Sequence, residues 1–311
     1  MKVSSAGSTV LLVGVSLMLL FGAACVSGAG STDRPPRTAA GSVISVVAST
    51  NVYGDFVEQI GADKVDVASV ISDPTQDPHS YEASTRIQLE LSKAQLVVGN
   101  GGGYDDFMDR MLRSTDNSSA VVIDAVDVSG KAPDADGEFN EHVWYDFPTM
   151  GRLADRIADA LADADPANGS VFRDNAEAFQ DKLTSLQGRT GQIKADHAGT
   201  AVAVTEPVPL YLAEASGLVN QTPADFSEAV EEGDEVSPTS LRETLALFAD
   251  GQVEALVYNE QTTSAQTEKV EKAARDHGIP VVPVTETLPR GEDYISWMTS
   301  NVDALKSALD Q

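Results

Sequence analysis

The sequence predicts an α/β protein of two lobes joined by a helical connector. Short, nearly continuous apolar runs rich in β-branched residues alternate with stretches of helical spacing, which is typical of parallel sheets covered on both faces. The alternation stops between about Pro148 and Ala195, where helical spacing continues alone. It then resumes. The length of 311 residues also exceeds the size at which one core usually stops growing, about 250–300 residues.

The first half holds four predicted strands, separated by stretches with apolar residues at helical spacing. The strands are 43–49, 65–71, 96–100 and 120–124. This segment, residues 43–147, is predicted to form the N-terminal lobe.

The middle segment, residues 148–198, is predicted to be the helical connector. Its apolar residues keep helical spacing, except where DPANGS at 165–170 interrupts them. There Asp165 suits a helix cap and Pro166 a first helical turn. The pattern therefore predicts one or two long helices.

Strands return in the second half, residues 199–311, which is predicted to form the C-terminal lobe. The predicted strands are 200–205, 254–259 and 280–285, and the predicted helices lie at about 209–217, 240–250, 262–277 and 291–309. The acidic segment 218–238 holds no strong strand signal. Two lobes around a connector predict a cleft, and clefts between lobes are typical sites for small ligands.

The first 24 residues have the pattern of a secretory signal peptide. The apolar run at 10–24 is shorter than the ~20 residues that span a membrane, and it fits the central region of a signal. Cys25 follows Gly-Ala-Ala, which resembles a bacterial lipobox and predicts a lipidated mature N-terminus. The alternative is an ordinary secreted protein cleaved after an alanine. Residues 25–42 are predicted to be a flexible tether. Because of the predicted signal peptide and lipidated Cys25, the protein is expected outside the cytoplasm and anchored by its lipid.

The charge and the cysteine count exclude several classes of protein. The chain has 21 Lys+Arg and 48 Asp+Glu, a formal net charge of -27. A nucleic-acid binder needs clustered basic residues, and a basic patch for anionic lipid is equally disfavoured. A strong negative field favours nearby cations, although solubility is the simplest interpretation. A single cysteine excludes intrachain disulfides and cysteine-based zinc clusters.

Four residues are candidates for a metal site. His79 follows the strand 65–71, Glu206 and Glu286 follow the strands 200–205 and 280–285, and His142 lies in a loop as FNEHVWYDFP. Ligands of open α/β sheets bind at the carboxyl ends of strands. Two imidazoles and two carboxylates suit a borderline divalent ion such as Zn²⁺, Mn²⁺ or Fe²⁺. Taken singly, each histidine also fits an ordinary loop residue, and each glutamate fits a first-turn acid of a helix.

At these four points the chain resembles a known family. The segments are DPHSYEAS, NEHVWYD, VTEPVPLYLAEASGL and VTETLPRGEDYISWM. They are similar to those of the zinc/manganese, cluster A-I, family of ABC-transporter substrate-binding lipoproteins, over most of residues 43–309. The resemblance implies two lobes, each with a parallel four-stranded sheet flanked by helices. It also implies one long rigid connector helix and a metal site in the cleft between the lobes.

The resemblance implies a metal-ligand set. His79 and His142 match the two histidine ligands of the family's N-terminal lobe. Glu206 falls where members have His or Glu, and Glu286 falls where members usually have Asp. Residues 127–141 lack the histidine-rich loop of many zinc-binding members, which favours manganese slightly over zinc. Tyr81, Glu82 and Trp144 are candidates for positions beside the ligands, with packing or capping as the alternative.

The sequence therefore predicts capture of a metal rather than catalysis, because four protein ligands leave little room for a reactive water. The expected protein is a monomeric, extracytoplasmic solute-binding protein of an ABC importer. It carries one Zn²⁺ or Mn²⁺, with Fe²⁺ as a further option, to permease and ATPase subunits. One alternative is a metallohydrolase with Glu82 or Glu141 as general base, although HExxH is absent. Another is a surface adhesin stabilised by its metal.

Overall fold

The computed structural model describes residues 43–73, 81, 84–132 and 139–311. The predicted signal peptide, the tether with Cys25, and the candidates His79 and Glu82 lie outside these described residues. Within the described part of the chain, no helix is both long and apolar enough to cross a membrane.

The first half of the chain forms a parallel four-stranded sheet. Its strands are β1 (Ile44–Thr50), β2 (Val65–Ile71), β3 (Leu96–Gly99) and β4 (Val121–Asp124), in the order β2-β1-β3-β4. The accompanying helices are α1 (Asn51–Gly61), α2 (Thr85–Leu91), α3 (Asp106–Ser114) and α4 (Ala125–Ser129). β1 and β3 are almost fully buried, as strands covered on both faces must be.

A second parallel sheet repeats this topology in the second half of the chain. Its strands are β5 (Ala201–Val204), β6 (Val219–Asn220), β7 (Ala255–Asn259) and β8 (Val281–Val284), in the order β6-β5-β7-β8. In this order the chain switches sides of the sheet between β5 and β7, which is where ligands bind in such folds. The helices are α7 (Leu210–Ala215), α8 (Ala224–Glu231), α9 (Pro238–Ala249), α10 (Ala265–Asp276) and α11 (Tyr294–Leu309).

Two long helices connect the sheets, α5 (Phe147–Ala164) and α6 (Gly169–His197). The DPANGS segment separates them through a short 3₁₀ turn, Pro166–Asn168. The 29 residues of α6 give it a length of ~44 Å. It packs against α1 in the first half of the chain and against α7 and α11 in the second half. The predicted fold class, with two sheets and a long connecting helix, is confirmed.

The two halves share one apolar core. Phe56 of α1 packs against Phe179 of α6 and Tyr294 of α11, with ring centroids 4.5 and 4.7 Å apart. The Tyr294 hydroxyl donates a hydrogen bond of 2.6 Å to the backbone carbonyl of Trp144. One cluster of buried apolar residues continues through both sheets. The predicted lobe boundaries at 147/148 and 198/199 therefore stay predictions.

The acidic segment 218–238 is more ordered than its sequence indicates. It contains the short edge strand β6 and the helix α8. β6 has only two residues, too few for an apolar alternation to be visible. This segment supplies a residue of the candidate site.

Candidate metal centre

The second sheet brings two of the predicted ligands together. Glu206 lies two residues beyond β5 and Glu286 two residues beyond β8, while Asn259 ends β7 between them. The Asn259 side-chain amide donates one hydrogen bond to Glu206 Oε2 and another, of 2.8 Å, to Glu286 Oε1. Both carboxylates are buried, with 2% of each residue exposed. Two buried carboxylates at the carboxyl edge of the sheet therefore accept hydrogen bonds from the same side-chain amide.

A second amide fixes the backbone at Glu286. Gln261 Oε1 accepts hydrogen bonds from the backbone N–H groups of Glu286 and Thr287, at 2.6 and 3.0 Å. The Gln261 side-chain nitrogen donates to Thr287 Oγ1 at 3.0 Å. The Tyr145 hydroxyl donates to the carbonyl of Thr285 at 2.8 Å. The position of the Glu286 carboxylate is thus set by contacts on both sides of it in the chain.

His142 reaches the same region from the first half of the chain. It is fully buried, and its ring Nδ1 lies 2.8 Å from Asn140 Oδ1. The same oxygen accepts the His142 backbone N–H at 3.1 Å. Because an amide oxygen only accepts, Nδ1 carries a hydrogen and Nε2 is directed into the site. The centroids of the Trp144 and His142 rings are 5.0 Å apart, with the two rings in an edge-to-face arrangement.

Glu231, the last residue of α8, lies against His142. Its Oε1 is 3.0 Å from His142 Nε2, the atom that would ligate a metal. Glu141, His142 and Glu231 each offer a ligand atom, and these atoms all lie within 4.8 Å of one another.

The electrostatics of this group favour a cation. Burial alone would lower the pKa of His142, but the charge and hydrogen bond of Glu231, with weaker effects of Glu141 and Glu286, raise it to about 9. Burial raises the pKa of Glu206 to about 8, and the charges of Glu286 and Glu231 add to the increase. Mutually repelling carboxylates in a buried place are costly. A divalent cation would offset that repulsion.

The cleft beside the site is acidic. A cavity of about 220 Å³ is lined by Glu141, Glu231 and other residues of α8. Its wall also includes Glu228, Glu232 and Asn140. A wall of this composition concentrates cations next to the buried group.

The outcomes for the predicted residues differ. The structure places Glu206 and Glu286 on one amide donor and Glu286 within electrostatic reach of His142, whereas His79 and Glu82 lie outside the described residues. The compact group of possible ligand atoms that includes His142 is formed with Glu141 and Glu231. Trp144 contacts His142, as stated above. Tyr81 packs against Phe107 of α3, with ring centroids 4.8 Å apart.

Four contributors were not predicted from the sequence: Asn140, Glu231, Asn259 and Gln261. Glu231 stands in a run of acidic residues that resembles a solvated surface. The helical spacing of α8 does indicate that Glu231 points inward. It lies four residues after the buried Ser227, and residues four apart share one face of a helix. Asn259 follows the strand-end rule that pointed to Glu206, but it is not a preferred ligand for a transition metal.

The two-sheet α/β fold and its buried histidine and carboxylate side chains suit a class of protein that binds a divalent cation. The model of a protein family described as the periplasmic component A of a zinc-uptake complex (ZnuA) matches residues 46–308. The chain therefore belongs to that family. The resemblance predicted from the sequence is confirmed.

Known relatives agree with this assignment. The manganese ABC transporter substrate-binding lipoprotein scaA of Streptococcus gordonii is 24% identical over 304 residues, covering 92% of this chain and 94% of its own. The manganese-binding lipoprotein MntA of Bacillus subtilis is 30% identical over 176 residues, 56% of each chain. The periplasmic zinc-binding protein TroA of Treponema pallidum superposes with a TM-score of 0.73 at 20% identity, covering 86% of this chain and 99% of TroA.

Proposed function

We propose that this protein captures one divalent transition metal ion, Mn²⁺ or Zn²⁺, and delivers it to the permease of an ABC importer. The observation that supports the proposal is that the buried carboxylates of Glu206 and Glu286 share one amide donor at the carboxyl edge of the second sheet, with the buried His142 within electrostatic reach of Glu286. His79 is proposed as the fourth ligand, from the motif that it shares with the family.

The relatives support the wider setting. The relative scaA is named a manganese ABC transporter substrate-binding lipoprotein, which supports permease and ATPase subunits as partners, and MntA is named a manganese-binding lipoprotein. The same names support lipidation of Cys25 and a place outside the cytoplasm, with the lipid as the membrane contact. We propose that the protein is a monomer. We also propose that it binds metal and catalyses no reaction, because four protein ligands close the coordination shell of a zinc-like ion.

The chain's own residues prepare the site for the ion. Asn140 fixes the imidazole of His142 so that Nε2 faces the site, as partners of metal-ligating histidines commonly do. Asn259 holds the carboxylates of Glu206 and Glu286 in place before an ion arrives. The proton on His142 Nε2 must leave when a metal takes its position. Capture therefore exchanges a proton for the ion within a nearly preformed pocket.

Metal titration of the chelator-treated protein tests the proposal. We expect calorimetry to give one Mn²⁺ or Zn²⁺ per chain, and His142→Ala to lose most of that affinity. The matched control is His277→Ala, since His277 is exposed at the end of α10. Absence of stoichiometric binding by the wild type, or equal binding by His142→Ala, would refute the proposal.

A further inference from the structure

We propose that Glu231 is a further metal ligand, contributed by α8, and that it biases the site towards Mn²⁺ over Zn²⁺. This inference rests on the proposed function and names a specificity determinant of the same site. Glu231 belongs to none of the four segments that carry the resemblance to the family.

The geometry of the pair with His142 is that of two ligands on one ion. Glu231 Oε1 and His142 Nε2 are 3.0 Å apart. Two ligand atoms at right angles around an ion, each ~2.1 Å from it, are separated by ~3.0 Å. Both carboxylate oxygens of Glu231 are buried. An ion bound to His142 Nε2 would therefore meet Glu231 without movement of the backbone.

Glu231 also acts on a carboxylate from the second half of the chain. Its charge affects Glu206 as well as His142. Glu231 is therefore within electrostatic reach of one proposed ligand from each half of the chain.

The position of α8 is fixed to the strand that carries Glu206. Thr222, just before α8, accepts a hydrogen bond from the backbone N–H of Val204 at 2.8 Å and donates to the carbonyl of Val204 at 3.1 Å. Phe226 and Val230 of α8 are buried in the core of the second sheet. These contacts fix the position of α8, and of Glu231 at its end, relative to the backbone just before Glu206.

The neighbouring acidic residues do not share this place. Glu232 is exposed, and the helix ends as Gly233 adopts a left-handed conformation with φ of 69°. Glu228 lines the adjoining cavity with Glu232, but neither belongs to the compact group of Glu141, His142 and Glu231. Glu231 alone among these three carboxylates has the position of a ligand.

A third carboxylate changes the preference of the site. With Glu231, the described residues of the proposed site supply one imidazole and three carboxylates. Protein-bound zinc favours four ligands in a tetrahedron, whereas oxygen-rich sites of higher coordination number suit Mn²⁺. The extra carboxylate should therefore stabilise bound Mn²⁺ more than bound Zn²⁺.

The test compares Glu231→Gln with Glu235→Gln in the whole protein, because both variants lose one negative charge near the same end of α8 and Glu235 is exposed. Dissociation constants for Mn²⁺ and Zn²⁺ are measured by competition with a chelator. We expect Glu231→Gln to weaken Mn²⁺ binding by about tenfold or more and Zn²⁺ binding by less, with Glu235→Gln unchanged. Equal effects of the two variants, or equal losses for the two metals, would overturn the inference. A wild type that binds no metal would overturn the proposed function and this inference with it.

The absorption spectrum of the Co²⁺-loaded wild type gives an independent answer even if Glu231→Gln folds poorly. Tetrahedral Co²⁺ absorbs visible light strongly, and five-coordinate Co²⁺ absorbs more weakly. We expect the weaker spectrum from the wild type. A strong tetrahedral spectrum would exclude Glu231 as an added ligand.

Discussion

Asn259 is the residue whose removal should disturb the site most in the absence of metal. Its single amide donates to the carboxylates of Glu206 and Glu286, both buried. A hydrogen bond to a charged group contributes about 1.5–3 kcal/mol. Since neighbouring contacts are not additive, we expect Asn259→Ala to lower the free energy of unfolding by about 3 kcal/mol.

The assay is urea denaturation of the chelator-treated protein at pH 9, above the pKa of about 8 of Glu206, followed by circular dichroism. The matched control is Asn51→Ala. The Asn51 side chain also makes two hydrogen bonds, donating to the carbonyl and accepting from the N–H of Leu288, each at 3.0 Å. Those partners are neutral, so the expected loss is smaller, about 2 kcal/mol.

Asn259→Asp extends the test. It replaces the shared donor with a third negative group beside Glu206 and Glu286, so it should destabilise the metal-free protein more than Asn259→Ala does. A loss below about 1 kcal/mol for Asn259→Ala, or a smaller loss for Asn259→Asp than for Asn259→Ala, would refute the argument that this amide offsets the two carboxylates.

Three further outcomes follow from contacts around the site and between the halves. Asn140→Ala should weaken metal binding by about 10–100-fold in calorimetry, because His142 loses the acceptor of its Nδ1 hydrogen; unchanged affinity would contradict this role. Tyr294→Phe should lower the free energy of unfolding by about 1–3 kcal/mol in urea, because the buried carbonyl of Trp144 loses its donor; a neutral substitution would show that the bond contributes little. Burial raises the pKa of Asp55 to about 6, above its unfolded value, so the protonated form is favoured on folding and stability falls as pH rises from about 4 to 6. Asp55→Asn should therefore raise the unfolding free energy by up to about 2 kcal/mol at pH 7.5 and have little effect at pH 4, and an equal effect at both pH values would contradict the assigned pKa.

Much of the fold could be predicted because its strands are buried on both faces. β1 and β7 appear in the sequence as short apolar runs, and the break before α6 appears as a proline and a cap residue. The edge strand β6 could not be predicted, because two residues carry no period and hydrogen bonds to β5 define it.

The candidate site was predictable only where a residue's type and its position in the chain agreed. Glu206 and Glu286 combine a ligand side chain with a place after a strand. Asn259 lies at the end of a strand, but its amide is not a preferred ligand for a transition metal. Glu231 has the chemistry but lies in an acidic run, and only packing of α8 turns it inward. His79 stays a prediction, because it lies outside the described residues.

Anomalous diffraction from zinc-loaded crystals tests the central claim most directly. We expect a single strong zinc peak about 2.0–2.2 Å from His142 Nε2 and from carboxylate oxygens of Glu206 and Glu286. A peak bound elsewhere, or crystals of zinc-treated protein with no peak at these residues, would contradict it.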